Sequence, residues 1–156
     1  MQKKSDIILI CVSVILVIVL IGGVIYDRDS ALLERTNYIV INGDDNLELV
    51  KMNKVGFLYM RAGYEAKLRI KDGLAAKYIV RIAETYGGEG ELFDYDQYKE
   101  YEAKVLDRVT IKPNPLQDSF IWMLGVPLEE NSSKNIVYIV TLENDGAFIY
   151  LYYSRK

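Results

Sequence analysis

The sequence predicts a mainly β protein in which a single N-terminal transmembrane helix is followed by an antiparallel β-sandwich. Three observations support this fold class. Residues 7–26 carry no charged side chain. The rest of the chain alternates short β-branched and aromatic runs with turn signals, roughly every 8–12 residues, which is typical of sandwiches. A strong hairpin pattern then closes the sequence.

The expected domain organisation follows from these observations. Residues 1–6 form a short cytoplasmic tail, residues 7–26 the transmembrane helix and residues 27–35 a polar connector. Residues 36–156 form one extracytoplasmic β-rich domain. The 130 residues after the anchor are the size of one ordinary domain.

The apolar run predicts a helix that spans a bilayer. Twenty residues rise about 30 Å as a helix, which matches the hydrocarbon core. A secretory signal has a shorter apolar region of roughly 7–15 residues and then small residues at a cleavage site. No such site follows this run. We therefore expect an uncleaved anchor, with a cleaved signal and a buried soluble helix as the alternatives.

The charges beside the helix bear on its orientation. Lys3 and Lys4 precede the helix, while Arg28 and Arg35 follow it, so the basic residues nearly balance. The short N-terminal tail and its free amine favour an N-terminus in the cytoplasm. We therefore expect a single-pass protein whose partners are the lipid bilayer and other membrane or surface proteins.

The region after the connector is expected to form short strands joined by turns. The expected strands are TNYIVIN (36–42), LELVKM (47–52), VGFLYM (55–60), YEAKLRIK (64–71), VLDRVTI (105–111) and FIWMLGV (120–126). GDDN at 43–46 indicates a turn, and KPNP at 112–115 indicates a loop because two prolines cannot donate to a ladder. The fully apolar run at 120–126 suits a strand buried on both faces.

Two segments leave a helical alternative open. AKYIVRIAETY (76–86) fits a strand, but its apolar residues also share one helical face. In the acidic segment at 88–104, Asp94 or Asp96 could cap a short helix. The alternative fold is therefore an α+β domain with helices near 74–86 and 94–106.

The end of the chain carries the clearest pattern and the one family resemblance. Two β-rich runs flank Asn144-Asp145-Gly146, which predicts a hairpin. Together with the acidic-aromatic GELFDYDQYKEY, the closing IVYIVTLENDGAFIYLYY resembles small jelly-roll sandwiches of the GOLD type, over about the last 70 residues. The resemblance implies a non-catalytic recognition or assembly module beside a membrane anchor. It assigns a role to no single residue.

Composition excludes several kinds of chemistry. The formal net charge is −3, and without Lys3, Lys4 and Asp6 the displayed part holds 17 basic and 21 acidic side chains, a net charge of −4. That balance argues against nucleic acid as a partner, because a phosphate binder needs a clustered basic surface. With no histidine and with its single cysteine in the apolar run, the chain lacks a Ser-His-Asp triad, a Cys-His dyad and an ordinary zinc site.

The acidic segment offers the one candidate metal site. Clustered oxygen ligands on a flexible glycine turn are what calcium prefers, and Glu89, Glu91, Asp94 and Asp96 are the best candidates. A solvated acidic face is the simpler interpretation. No other cofactor is indicated.

Three further features of the sequence bear on its function. Ser30 lies just past the anchor, where a Ser-Lys hydrolase would need its nucleophile, but a linker or helix-cap serine is the simpler interpretation. Asn131-Ser132-Ser133 is a glycosylation sequon in a predicted loop. The tyrosines of the closing hairpin and of the acidic segment suit a protein or glycan interface, although ordinary strand packing is the simpler interpretation. They are Tyr138, Tyr150, Tyr152 and Tyr153 on the hairpin and Tyr95, Tyr98 and Tyr101 on the acidic segment.

These features favour a non-enzymatic, single-span membrane protein. It would display a β-sandwich as an accessory or assembly subunit of a membrane or cell-surface complex. A surface module that binds glycan or calcium is one alternative. A membrane-anchored hydrolase that uses Ser30 or a pair of carboxylates is another.

Overall fold

A computed structural model of the chain describes residues 2–26, 29, 32–33, 44–55, 63–127 and 134–155. The helices are α1 (Gln2–Tyr26), α2 (Ala75–Tyr86) and α3 (Tyr95–Val105). The strands are β1 (Leu47–Val55), β2 (Gly63–Ile70), β3 (Glu91–Phe93), β4 (Ile121–Pro127), β5 (Lys134–Glu143) and β6 (Gly146–Arg155). These strands form a six-stranded antiparallel sheet in the order β1-β2-β6-β5-β4-β3.

The mainly β class is confirmed, and the strand arrangement differs from the expected sandwich. Within the described ranges the strands belong to one sheet, and helices rather than a second sheet cover it. The physical reason lies in the two segments that were ambiguous in sequence. Both are helices, at 75–86 and 95–105, as the α+β alternative predicted.

Helix α2 forms where the sequence allowed either helix or strand. Its apolar residues share one side, and Tyr78 and Ile82 on that side are fully buried. Gly87 ends the helix with φ of +66°, a left-handed conformation that glycine adopts without a Cβ clash. Residues 75–86 therefore form a helix rather than a strand, because a helix places their apolar side chains together against the sheet.

Helix α3 begins with a complete capping box. The Asp94 carboxylate accepts a hydrogen bond from the Gln97 backbone N–H at 2.8 Å, and the Gln97 side chain accepts one from the Asp94 N–H at 3.0 Å. Two of the unpaired donors at the helix start are thereby satisfied. Of the two acidic residues proposed as caps, Asp94 has that role and Asp96 lies in the first turn.

The closing hairpin is confirmed residue by residue. β5 and β6 pair from Lys134–Arg155 to Glu143–Gly146, with Asn144 and Asp145 in the turn. β4 is confirmed as well, and its residues 121–124 are buried on both faces of the sheet. The predicted strands at 47–52 and 64–71 correspond to β1 and β2.

The strand expected at 105–111 was wrong. Val105 ends α3, and the chain then turns through 106–111 as an irregular segment. Leu106 and Ile111 are nevertheless only 3% and 4% exposed, because this segment lies against one face of the sheet. Apolar residues in such a buried loop imitate the sequence pattern of a strand.

The two faces of the sheet carry separate cores. We call them the α2 face and the α3 face, after the helix that packs on each. Residues on the α2 face include Ala66, Leu68, Val140 and Ile149, packed with α2 and with Leu32 and Leu33 from the connector. On the α3 face the strand residues Ile121, Met123, Ile139, Phe148, Tyr150 and Tyr152 pack with Tyr98 of α3 and with Leu106 and Ile111.

Several expectations lie outside the described residues. These are the strand at 36–42, most of the strand at 55–60, Ser30, and Asn131 of the sequon. Among the residues that the structure does describe, no helix combines the length and the apolar character required to cross a membrane.

Candidate functional site

The α3 face contains a buried charge network centred on Glu143. This residue ends β5 and is 8% exposed. Its carboxylate accepts a hydrogen bond from Lys67 Nζ at 2.6 Å, another from the Asn114 backbone N–H at 2.8 Å, and a third from the Tyr150 hydroxyl. The Lys67 ammonium also lies 3.9 Å from the centroid of the Phe148 ring. A buried carboxylate with three donors is compensated for its loss of water.

A second buried carboxylate binds the segment that follows α3. Glu65 on β2 is 9% exposed, and its Oε2 accepts the backbone N–H groups of Thr110 and Ile111 at 2.9 and 2.8 Å. The Tyr152 hydroxyl donates to the Ile111 carbonyl oxygen at 2.7 Å. The Tyr98 hydroxyl donates to the Pro113 carbonyl oxygen at 3.1 Å. Side chains of the sheet and of α3 therefore hold residues 110–114 in place.

The tyrosine hydroxyls of this network are buried and hydrogen-bonded within the protein. Burial raises the pKa of the Tyr150 phenol well above its ordinary value, and its hydrogen bond to Glu143 acts in the same direction. Burial likewise raises the pKa values of Tyr98 and Tyr152. Among the described residues, every buried side-chain nitrogen and oxygen has a hydrogen-bond partner. Polar groups that are already satisfied by backbone atoms are not available to a substrate.

A further polar contact fixes α2 to the turn before β1. The Tyr78 hydroxyl donates to Asp44 Oδ2 at 2.6 Å, and Arg81 lies 3.4 Å from the same oxygen. The hydrogen bond from Tyr78 lowers the pKa of the Asp44 carboxyl, against the opposing effect of burial. Asp44 also accepts the Asn46 backbone N–H at 3.1 Å. The turn predicted at 43–46 is therefore held at residues 44–46 by its own aspartate and by the helix.

The four acidic residues proposed for calcium are dispersed along β3 and its two ends. Glu91 lies on the strand, and the Asp94 carboxylate is engaged in capping α3. The Glu89 carbonyl oxygen accepts the Trp122 indole N–H at 3.1 Å. The described part of the chain brings no three acidic, cysteine or histidine side chains into a group that could hold a metal ion. Calcium binding at these residues stays a prediction.

An open, mainly apolar surface lies on the α2 face beside β3. A groove of about 590 Å³ runs between the helix and the edge of the sheet. Its apolar lining residues are Ala76, Ile79 and Val80 from α2 and Leu92, Phe120 and Trp122 from the sheet side. Leu92 is 73% exposed and Val80 is 54% exposed. We call this set the edge groove.

Gly90 gives the edge groove its shape. Its φ is +70°, and a Cβ placed on it would lie 2.4 Å from Cε2 of Trp122. Only glycine therefore lets the chain pass directly over the indole ring before β3 begins. The indole in turn donates to the Glu89 carbonyl oxygen, which fixes the floor of the groove.

The edge groove also lies beside an unpaired sheet edge. Leu92 pairs with Trp122 in register, so both side chains belong to the α2 face, whereas Glu91 and Phe93 belong to the α3 face. β3 is the last strand of the sheet on this side within the described residues. An edge strand directs alternate N–H and C=O groups away from the sheet, where a further strand could accept and donate hydrogen bonds.

The tyrosines proposed as an interface fall mainly into the core. Tyr98, Tyr138 and Tyr150 are fully buried, and Tyr152 is 8% exposed. The Tyr86 and Tyr138 hydroxyls lie 2.7 Å apart on the α2 face. Strand and helix packing, the alternative weighed for them, therefore accounts for these residues.

Sequence reasoning missed the residues that organise the domain. In the sequence, Glu65 and Glu143 look like ordinary solvent-facing positions of alternating strands. The segment that covers them is distant in the chain: Thr110 lies 45 residues after Glu65, and Asn114 lies 29 residues before Glu143. The one local signal for Glu65 was that it is the single acidic residue of the run YEAKLRIK, at its second position. The edge groove gave no signal because its residues come from three separate segments.

Comparison with known proteins adds no family to this geometry. No family model, no curated protein and no solved structure matches the chain. The resemblance to GOLD-type sandwiches stays a prediction from the sequence pattern.

Proposed function

We propose that the chain is a non-enzymatic, single-span membrane protein whose β-rich domain acts as an accessory or assembly subunit of a membrane or cell-surface complex. The N-terminus lies in the cytoplasm and the sheet domain outside it. The proposal takes the span from the sequence, where residues 7–26 carry no charge. No helix among the described residues, α1 included, meets the requirements of a membrane span, so the proposal depends on the apolar sequence and on the exposed surface of α1.

The surface of α1 is the single observation that carries the proposal. Every large apolar side chain described on this helix, from Ile10 to Val24, is at least half exposed. Water would not tolerate such a continuous apolar surface, whereas lipid or neighbouring helices would cover it. The run has no polar stripe that would suggest a helix lying in the membrane surface.

The connector attaches the proposed anchor to the folded domain. Leu32 and Leu33 are 3% and 1% exposed in the α2-face core. Asp29 lies 2.5 Å from Lys54 Nζ at the end of β1. Since these contacts follow α1 by only a few residues, the domain would be held close to the bilayer rather than on a long tether. Such a placement suits a subunit that meets partners at the membrane.

The interior chemistry supports a non-enzymatic role. The buried carboxylates and tyrosine hydroxyls of the α3 face bind backbone groups of the protein itself. The edge groove is lined mainly by aliphatic and aromatic side chains. A surface of that composition is typical of protein recognition.

The single cysteine makes the placement testable. In a Cys11→Ser background, Asp145→Cys puts a thiol in the exposed turn of the hairpin, and Gln2→Cys puts one before the span. An impermeant maleimide added to intact cells should label the first variant and leave the second unlabelled until the cells are opened. Labelling of Gln2→Cys alone would reverse the orientation, and release of the full chain by alkaline carbonate would refute the anchor.

The assembly role has its own test. The full chain, solubilised from its native membranes in mild detergent, should migrate with at least one other membrane protein in stoichiometric amount. A monodisperse monomer with no such companion would contradict the proposal, even if the anchor is confirmed.

A further inference from the structure

We propose that the edge groove and the outer edge of β3 bind an extended segment of a partner protein, which adds a strand to the sheet and alternates apolar with basic side chains. This inference deepens the proposed assembly role, since it names the surface and the chemistry of the partner. The backbone of β3 indicates an extended partner, its register indicates the apolar positions, and the charges beside it indicate the basic positions.

The backbone of β3 determines that the partner is extended. β3 pairs with β4 through Glu91–Met123, Leu92–Trp122 and Phe93–Ile121, and within the described residues no strand pairs with its other side. An added strand satisfies the outward N–H and C=O groups of such an edge. A helix laid in the groove would leave them without partners.

The register of β3 determines the apolar positions of the partner. Side chains of an added strand alternate between the two faces of the sheet. Those on the α2 face would lie over the edge groove, against Leu92, Val80 and Trp122. Leu92 at 73% exposure and Val80 at 54% are the apolar surface that this contact would remove from water.

The charges beside β3 determine the basic positions. On the α3 face, Glu91 lines the surface next to the strand, and the neighbouring Glu100 and Lys104 form an ion pair, so the net charge of this surface is negative. Glu89 lines the groove and also, beside Glu91, a pocket on the α3 face. Lysine or arginine at the alternate positions of a partner strand would face these carboxylates.

The same charges disfavour a second copy of this chain as the occupant. Two β3 strands paired edge to edge would bring the acidic surfaces of both copies, which contain Glu89 and Glu91, close to one another, and like charges repel. A basic segment is attracted to the same surface.

The test uses the full chain in detergent micelles and two synthetic peptides. One is acetyl-Lys-Val-Lys-Val-Lys-Val-Lys-amide, and the other replaces each lysine by glutamate. Trp122, the one tryptophan of the sequence, lines the groove and reports binding by its fluorescence. We expect saturable binding of the basic peptide, at least tenfold tighter than that of the acidic one. A version of the basic peptide N-methylated on alternate residues along one edge should lose binding, because that edge could no longer donate to β3.

Two variants locate the site. Leu92→Lys should weaken binding of the basic peptide at least tenfold. Val50→Lys changes a residue of 45% exposure on β1, the opposite edge strand, and should leave binding unchanged. Both positions are exposed, so neither variant is expected to unfold the domain.

The contrary outcomes are distinct. Absence of saturable binding by the basic peptide, equal binding of the two peptides, or undiminished binding by Leu92→Lys would each overturn the proposal. A dimer of the chain that Leu92→Lys dissociates would assign the groove to a second copy instead, and would overturn it too. If Leu92→Lys abolishes peptide binding but leaves the co-purifying membrane protein in place, the assembly role survives and the groove is not its contact.

Discussion

The two faces of the sheet are closed in different ways. On the α2 face, the covering helix buries Ile82 among aliphatic strand residues, and the connector adds Leu32 and Leu33. On the α3 face, the carboxylates of Glu65 and Glu143 are buried among aromatic rings and bind backbone amides of the segment after α3. The α2 cover is held mainly by apolar packing, with the Tyr78–Asp44 hydrogen bond beside it, whereas the α3 cover adds buried carboxylate contacts to an apolar core.

The difference shows what each kind of cover requires. A helix satisfies its own backbone groups and needs only an apolar side to pack on a sheet. The irregular segment 106–116 leaves backbone N–H groups unpaired, so burying it demands acceptors from the sheet. The strand residues opposite it supply those acceptors as carboxylates. We therefore expect a mutation on the α3 face to lower the free energy of unfolding more, per atom removed, than a mutation on the α2 face. We also expect it to detach segment 106–116 from the sheet while α2 stays in place.

The largest effect is expected from Glu143→Ala. The substitution leaves the half-buried Lys67 without its partner and the Asn114 amide without an acceptor. Removing one partner of a buried ion pair costs about 3–5 kcal/mol of unfolding free energy. Denaturant unfolding of the full chain in detergent, followed by Trp122 fluorescence, measures this cost. Hydrogen exchange should also show faster exchange of the amides at 110–114, while α2 keeps its protection.

A smaller effect is expected from Tyr152→Phe, which removes the donor to the Ile111 carbonyl oxygen. An unsatisfied buried acceptor costs about 1–3 kcal/mol. The pH dependence sharpens the result. Because burial raises the pKa of Tyr152 above its ordinary value of 10, the unfolded chain loses this proton first. Stability contributed by the phenol is complete below pH 10 and is lost as the pH rises above it.

The variant should therefore show a shallower loss of stability above pH 10 than the unmodified chain. Parallel alkaline profiles for the two proteins would contradict a buried, protonated Tyr152. Circular dichroism during titration with alkali measures both profiles.

On the α2 face, Ile149→Val should cost about 0.5–1.5 kcal/mol, the usual loss for one buried methylene. Ile149 is 2% exposed in that core and lies between Leu68 and Val140 of the neighbouring strands. Exchange of the amides at 110–114 should be unchanged, since the sheet separates them from this site. Faster exchange there would show that the two faces are coupled.

The smallest effect is expected from Asp145→Asn. Its ion pair with Arg69, at 3.2 Å, lies on the same face as the Lys67–Glu143 pair but is exposed at both ends. Exposed pairs contribute about 0.2–1 kcal/mol and weaken with salt. The difference from the unmodified chain should disappear in high salt. A cost as large as that of Glu143→Ala would remove the distinction between the buried and the exposed pair.

Local sequence was informative wherever the structure depends on local physics. The Asn-Asp-Gly turn, the capping residue Asp94 and the fully apolar β4 all form where their patterns predicted. Each reflects a preference that acts over a few residues: turn geometry, a side chain that caps its own helix, and burial on both faces. The apolar run of residues 7–26 is of the same kind, and its helix extends from Gln2 to Tyr26.

Non-local packing decided the rest. The sequence of α2 fits a strand and a helix alike, and only the apolar α2 face of the sheet selects the helix. The segment at 105–111 has strand composition, yet it forms a loop because Glu65 accepts its amides at 110 and 111.

By itself, then, the sequence determined the apolar N-terminal helix, the β-rich composition of the domain, its closing hairpin and the absence of histidine chemistry. The tertiary structure alone decided that one sheet carries two unlike covers, that Glu65 and Glu143 are buried, and that an apolar groove opens beside β3. The reason is physical: periodicity and turn chemistry act between neighbours in the chain. Burial of a charge and the shape of a groove depend on residues that meet only after folding.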